Sequence, residues 1–136
     1  MKTALIFLVS LLTAQVQIPK NDPTGIWEST SGTQYALRLT GGDTLTIRLV
    51  PGTSTTYTSY EVDLKVSPDE VNTYNGKGFF VAKVKEGKEC RFETEWLVIV
   101  IQQSRILGNT TNIAPDPETC AVKEKSQVGL DMTRKQ

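Results

Sequence analysis

The apolar residues of this chain recur at every second position and almost nowhere at helical spacing, a pattern that confines it to an all-β architecture. Tyr35, Leu37 and Leu39 alternate with Ala36, Arg38 and Thr40, Gly41-Gly42 follows, and Leu45, Ile47 and Leu49 then alternate with Thr44, Thr46 and Arg48. Two such runs joined by Gly-Gly predict a tight hairpin. Pro51-Gly52 and the hydroxyl-rich tract from Thr53 to Thr56 form the next connection, before Tyr60, Val62 and Leu64 alternate with Glu61, Asp63 and Lys65. Ser67-Pro68-Asp69-Glu70 reads as a turn, with room for one helical turn before Thr73, and Asn75-Gly76 reads as another. Strands are predicted over 78–85 and, after Glu86-Gly87, over the long run 89–101. Arg105 to Thr111, the Pro-rich loop Ala114 to Pro117 and a last segment from Cys120 to Met132 complete the chain. With a first strand around Trp27, this gives about eight strands and predicts an antiparallel up-and-down barrel, with a small β-sandwich as the alternative.

The chain is 136 residues long, enough for one domain. Its first residues read as an export signal: Met1-Lys2 is a short positive start, Ala4 to Leu12 is an uncharged apolar run, and Thr13-Ala14 supplies small residues for cleavage. A membrane span needs about 20 apolar residues, and this run is about half that. The expected organisation is a signal peptide at 1–14 and one secreted domain at 15–136. Removing the signal takes away Lys2 alone among the charges, leaving 14 basic and 15 acidic groups and a net charge of −1. Such a balance argues against nucleic acid, whose phosphates call for a basic surface.

Export sets the reading of the two cysteines. In an oxidising compartment Cys90 and Cys120 are expected to pair as a disulfide. Closing a loop of that length stabilises a fold by about 3 to 4 kcal/mol on the chain-entropy model. Their spacing is unlike the close-set pairs of redox centres. Asn109-Thr110-Thr111 is an N-glycosylation sequon, meaningful in a eukaryotic secretory pathway.

The segment from Cys90 to Ile101 carries the most information. One face holds Cys90, Phe92, Thr94, Trp96, Val98 and Val100, apolar except for Thr94, and is assigned to the interior. The other begins with Arg91, Glu93 and Glu95 and ends with Leu97, Ile99 and Ile101, an apolar outward patch that predicts a homo-oligomeric interface or a covering segment. An inward hydroxyl beside an indole fits either a plain core or a pocket for a small apolar or amphipathic ligand. The pocket reading takes Thr94, Trp96, Tyr60 and Phe80 as its wall, with Leu37 and, as an alternative to Phe80, Phe79. Trp27, a large aromatic close to Gly25, is read as the cap at one end of the barrel.

Catalysis finds little to work with. There is no histidine, so His-based triads and the commonest general base are excluded, and two cysteines cannot make a four-thiolate metal site. Glu28, Glu61, Asp63, Glu93 and Glu95 are the carboxylates a glycosidase would need, but charges alternating along an outer strand face serve solubility and cross-strand pairing. Neither Asn72 to Asn75 nor Asp116 to Glu118 has the ligand pattern of a calcium loop. The expectation is a binding protein without catalytic residues, metal or cofactor, holding a small apolar or amphipathic ligand inside the barrel; the alternative is a structural or interaction protein with a filled core that acts through the exposed apolar strand face.

Gly25-Ile26-Trp27 resembles the G-x-W signature that opens lipocalin and avidin-type barrels, and Gly32 follows at the spacing of the avidin first hairpin. Arg91-Phe92-Glu93-Thr94-Glu95-Trp96-Leu97 is similar to the avidin strand that reads R-x-x-T-x-W-L. The resemblance implies a ligand site inside the barrel, lined in part by Thr94 and Trp96, and subunits packed strand face to strand face. It also implies that Arg134, near the last strand, stacks on the Trp of the G-x-W motif. The chain departs from avidins in having only two Trp and no matching set of Asn, Ser, Tyr and Asp hydrogen-bonding residues, and from lipocalins in lacking their helix.

Overall fold

The computed structural model describes residues 22–135; the expected signal peptide lies outside them. Eight antiparallel strands follow one another around a closed barrel: β1 (Gly25–Ser29), β2 (Gln34–Thr40), β3 (Thr44–Leu49), β4 (Tyr57–Val66), β5 (Thr73–Lys85), β6 (Lys88–Gln102), β7 (Arg105–Pro115) and β8 (Val122–Arg134). This is the up-and-down barrel that the alternation predicts, not the sandwich. β2, β3, β4 and β6 bury alternate residues, and the inward set, including Leu37, Leu45, Ile47, Val62, Leu64, Val98, Ile106 and Met132, makes one continuous core. Fully burying an aliphatic side chain of this kind stabilises by about 1.5–3 kcal/mol, so the periodicity of the sequence is also its folding energy.

The Asn75-Gly76 pair departs from expectation, for it lies within β5 rather than at a turn. Gly76 and Gly78 occupy inward positions opposite Trp96 and Thr94. A Cβ at either would run into the backbone of β4, at the carbonyl of Asp63 or of Glu61. Glycine is used here to let two strands approach as the sheet bends, not to reverse the chain. Gly108 in β7 plays the same part against the Leu97 carbonyl. The segment between Ser67 and Thr73 holds turns and bends with no helix, and β7 continues through Thr111 to Pro115.

At one end of the barrel Trp27 is fully buried and its indole N–H donates to the carbonyl of Pro23 at 2.8 Å. The Arg134 guanidinium lies over the ring, 4.6 Å from its centroid. It also donates to the carbonyls of Asp22, Thr24 and Gln103, tying the chain entry and the β6–β7 turn to the last strand. The opposite end is built differently. β5 to β8 are 11 to 15 residues long and β1 to β3 only 5 to 7. The long strands therefore stand above the short ones as a wall, and β8 meets β1 only through Met132, Thr133 and Arg134.

Candidate ligand site at the barrel mouth

Along the inner face of β6, from the open end downward, come Cys90, Phe92, Thr94 and Trp96, opposite Ala82, Phe80, Gly78 and Gly76 of β5. Tyr60 of β4 sits beside Phe80 and its ring stacks there, centroids 5.1 Å apart. Trp96 meets the edges of Tyr35 and Tyr60 at 5.4 and 5.6 Å, spacings at which aromatic pairs are favourable. Four of the sequence-predicted wall residues are thus brought together. Phe80 lines the opening, whereas Tyr60, Thr94 and Trp96, 4%, 1% and 2% exposed, form the packed floor beneath. Leu37 is buried in the core, and Phe79 points outward under the Arg91 guanidinium.

The polar atoms on this floor cluster. The Thr94 and Thr110 hydroxyls are 3.3 Å apart, and the Tyr60 hydroxyl lies against those of Tyr57 and Thr110. Burial drives the phenol pKa values of Tyr35 and Tyr60 far above the ordinary tyrosine range, with neighbouring tyrosines adding to the effect. Both are neutral hydrogen-bonding groups at any physiological pH. The Trp96 indole N–H is buried and has no partner among the described residues.

Above the floor lies a cavity of about 150 Å3. Phe80, Ala82, Val84 and Phe92 form one wall, Thr56 and Tyr57 the rim, and Asn112, Ile113 and Pro115 of β7 the other side; Lys83 brings the one charge to the lining. Next to it, and sharing Thr56 and Tyr57, is a recess of about 290 Å3 lined by Ser31, Thr33, Thr53, Ser54 and Thr55. Pattern reading missed Tyr57 because a register shift between Tyr57 and Ser59 resets the alternation. That shift puts Tyr57 beside Tyr60 and Phe80, 5.0 and 5.3 Å away. The hydroxyl-rich tract was legible only as a turn.

The carboxylates are elsewhere. Glu95 is loosely paired with Lys77, Asp63 with Arg48 and Glu28 with Lys135, all on the outer surface. Among the described residues no three His, Cys, Asp or Glu side chains come together to hold a metal ion. Leu97 and Ile99 lie half-buried on the outer face and Ile101 is 45% exposed. Cys90 and Cys120 form a disulfide.

No family model matches the sequence, and no curated protein matches it. Among solved structures the chain is similar to that of a bradavidin2–biotin complex, at 17% identity with a TM-score of 0.52. The alignment covers 84% of this chain and 97% of the other. The chain folds as an avidin-type barrel. The G-x-W start and the R-x-x-T-x-W-L strand therefore sit in the architecture that their resemblance implies.

Proposed function

We propose that this is an exported, non-enzymatic binding protein that holds a small amphipathic ligand at the barrel mouth. The observation that carries the reading is the junction of two unlike surfaces at Thr56 and Tyr57. An apolar slot walled by Phe80, Val84 and Phe92 opens beside a recess whose lining is almost entirely hydroxyl. The slot alone is smaller than the ~300 to 1,000 Å3 typical of small-molecule sites, whereas the two together fall within it. A ligand with an apolar end in the slot and a neutral, hydrogen-bonding end among the hydroxyls fits both. Tyr60, Thr94 and Trp96 support the slot from below, and the unpaired Trp96 N–H offers a donor to any acceptor that reaches the floor. The solved neighbour is described as a biotin complex; the departures from the avidin hydrogen-bonding set argue for a different ligand here.

A panel of small amphipathic compounds, scored by calorimetry against the parent protein and Ala82→Arg, tests this. Ala82 faces the slot and is 7% exposed, so an arginine there fills the mouth. Binding by the parent that is lost in the variant supports the reading; equal binding by both overturns it.

A second reading rests on the outer face of β6, where Leu97, Ile99 and the exposed Ile101 lie beside Leu107 of β7. We propose this patch as the contact between copies of the chain. Light scattering after gel filtration should give a multiple of the chain mass that falls to the monomer in Ile101→Lys. A monomer at all concentrations would refute it.

A further inference from the structure

We propose that the outer half of the β7–β8 hairpin, about residues 111–128, is a lid drawn across the barrel mouth and held down by the Cys90–Cys120 disulfide. Three observations place it there. First, β6 and β7 part company. Their ladder ends at Trp96 opposite Thr110, although β6 runs on to Lys88 and β7 to Pro115. Beyond that point the Thr111 hydroxyl takes over, accepting the Glu95 N–H at 2.9 Å and donating to the Glu95 carbonyl at 3.4 Å.

Second, the outer part of β8 is not barrel wall. Every residue from Val122 to Gly129 is exposed, whereas a wall strand buries each second side chain. Third, the hairpin lies against the inner side of β6. Cys90 occupies an inward position and is 3% exposed, and both its partner Cys120 and Ile113 pack against the core. Ile113 and Pro115 thereby close the cavity over Phe80 and Phe92.

The one covalent tie of the lid is the disulfide. The lid's tip is a well-made turn, with the Asp116 carboxylate accepting the N–H groups of Glu118 and Thr119. Besides the Thr111 hydroxyl at the hinge and the packing of Ile113 under the tip, its ties are exposed ones, Lys85 to the Glu118 carboxylate at 2.7 Å and Lys88 to the Glu118 carbonyl at 2.6 Å. Exposed ion pairs of this sort contribute little. Thiol–disulfide exchange with a dithiol would leave Cys90 and Cys120 as thiols, each with a proton, while the dithiol is oxidised to its own disulfide. The lid is then free to swing out about the Trp96–Thr110 pair and expose the apolar wall. As a gate for a ligand this rests on the proposed mouth site; as a movement of the chain it does not.

The test is hydrogen exchange by mass spectrometry on the full chain, oxidised and after reduction with a dithiol, with thiol alkylation to confirm cleavage. Cys90→Ser/Cys120→Ser serves as a reductant-free check. The expected result is exchange at least ~10-fold faster over residues 111–128 in the reduced protein, with β2 to β5 unchanged. Unchanged protection over 111–128 would overturn the lid. So would a simultaneous loss across all strands, because the disulfide would then be a staple of the whole barrel. Adding an apolar dye such as anilinonaphthalene sulfonate separates the two proposals. Faster exchange together with dye binding that Ala82→Arg abolishes supports lid and site; faster exchange without dye binding supports the lid and counts against the site.

Discussion

Replacing Trp96 with Phe sets two effects of similar size against each other. The indole is 2% exposed and meets Tyr35 and Tyr60 edge-on. A phenyl ring keeps most of that contact and leaves a void of roughly 40 Å3, which at ~24 cal/mol per Å3 costs about 1 kcal/mol, with about 1 kcal/mol more from lost apolar burial. On the other side, Nε1–H is buried with no partner among the described residues, and holding such a donor away from water costs ~1–3 kcal/mol that the substitution removes. The ligand-free variant should therefore unfold in urea within about 1 kcal/mol of the parent, read as a shift in midpoint at constant slope. Trp96→Ala, which has no such compensation, should lose ~3–5 kcal/mol. Trp27 remains as the fluorescent reporter in both. A loss of 2 kcal/mol or more in Trp96→Phe would refute the reasoning, since it would mean that the indole N–H has a partner that phenyl cannot replace.

Two further outcomes follow from the core. Gly108→Ala should destabilise by about 3 kcal/mol or more, because its Cβ would meet the Leu97 carbonyl, whereas Gly129→Ala, with nothing within 4 Å, should stay within about 0.5 kcal/mol. Equal midpoints for the two variants in urea would show that β7 is not held as close to β6 as described. In alkaline titration, Tyr35 and Tyr60 stay protonated in the fold well above the ordinary phenol value of 10.0, while the unfolded chain ionises near it. Stability is then fully present below about pH 10 and falls as pH rises past that value. Phenolate absorbance should show these two tyrosines appearing only with unfolding; their ionisation in the intact barrel would contradict the burial.

The fold was legible because burial and periodicity report the same thing in a barrel: each inward residue of β2, β3, β4 and β6 is apolar or, at Thr94, a small hydroxyl. The disulfide was legible from the parity of the cysteines and the export expected from the first residues. The reading failed where local chemistry has two uses. Asn75-Gly76 is a turn signal by composition, but Gly76 serves close strand approach within β5. The mouth was the least visible part. Phe80 and Tyr60 could be named from alternation, yet Tyr57 reaches the same wall through an irregular register. Ile113 and Pro115 reach it because β7 leaves its neighbour after Thr110. Neither event leaves a periodic trace in the residues.

The proposed ligand site is the barrel mouth, not the outer face. The direct measurement is backbone chemical-shift mapping of the isotope-labelled protein titrated with the amphipathic panel. Saturable shifts clustered at Thr53 to Tyr57, Phe80 to Val84, Phe92 and Asn112 to Pro115 are the predicted result. Shifts confined to the outer strand faces, or none with any compound, would contradict it.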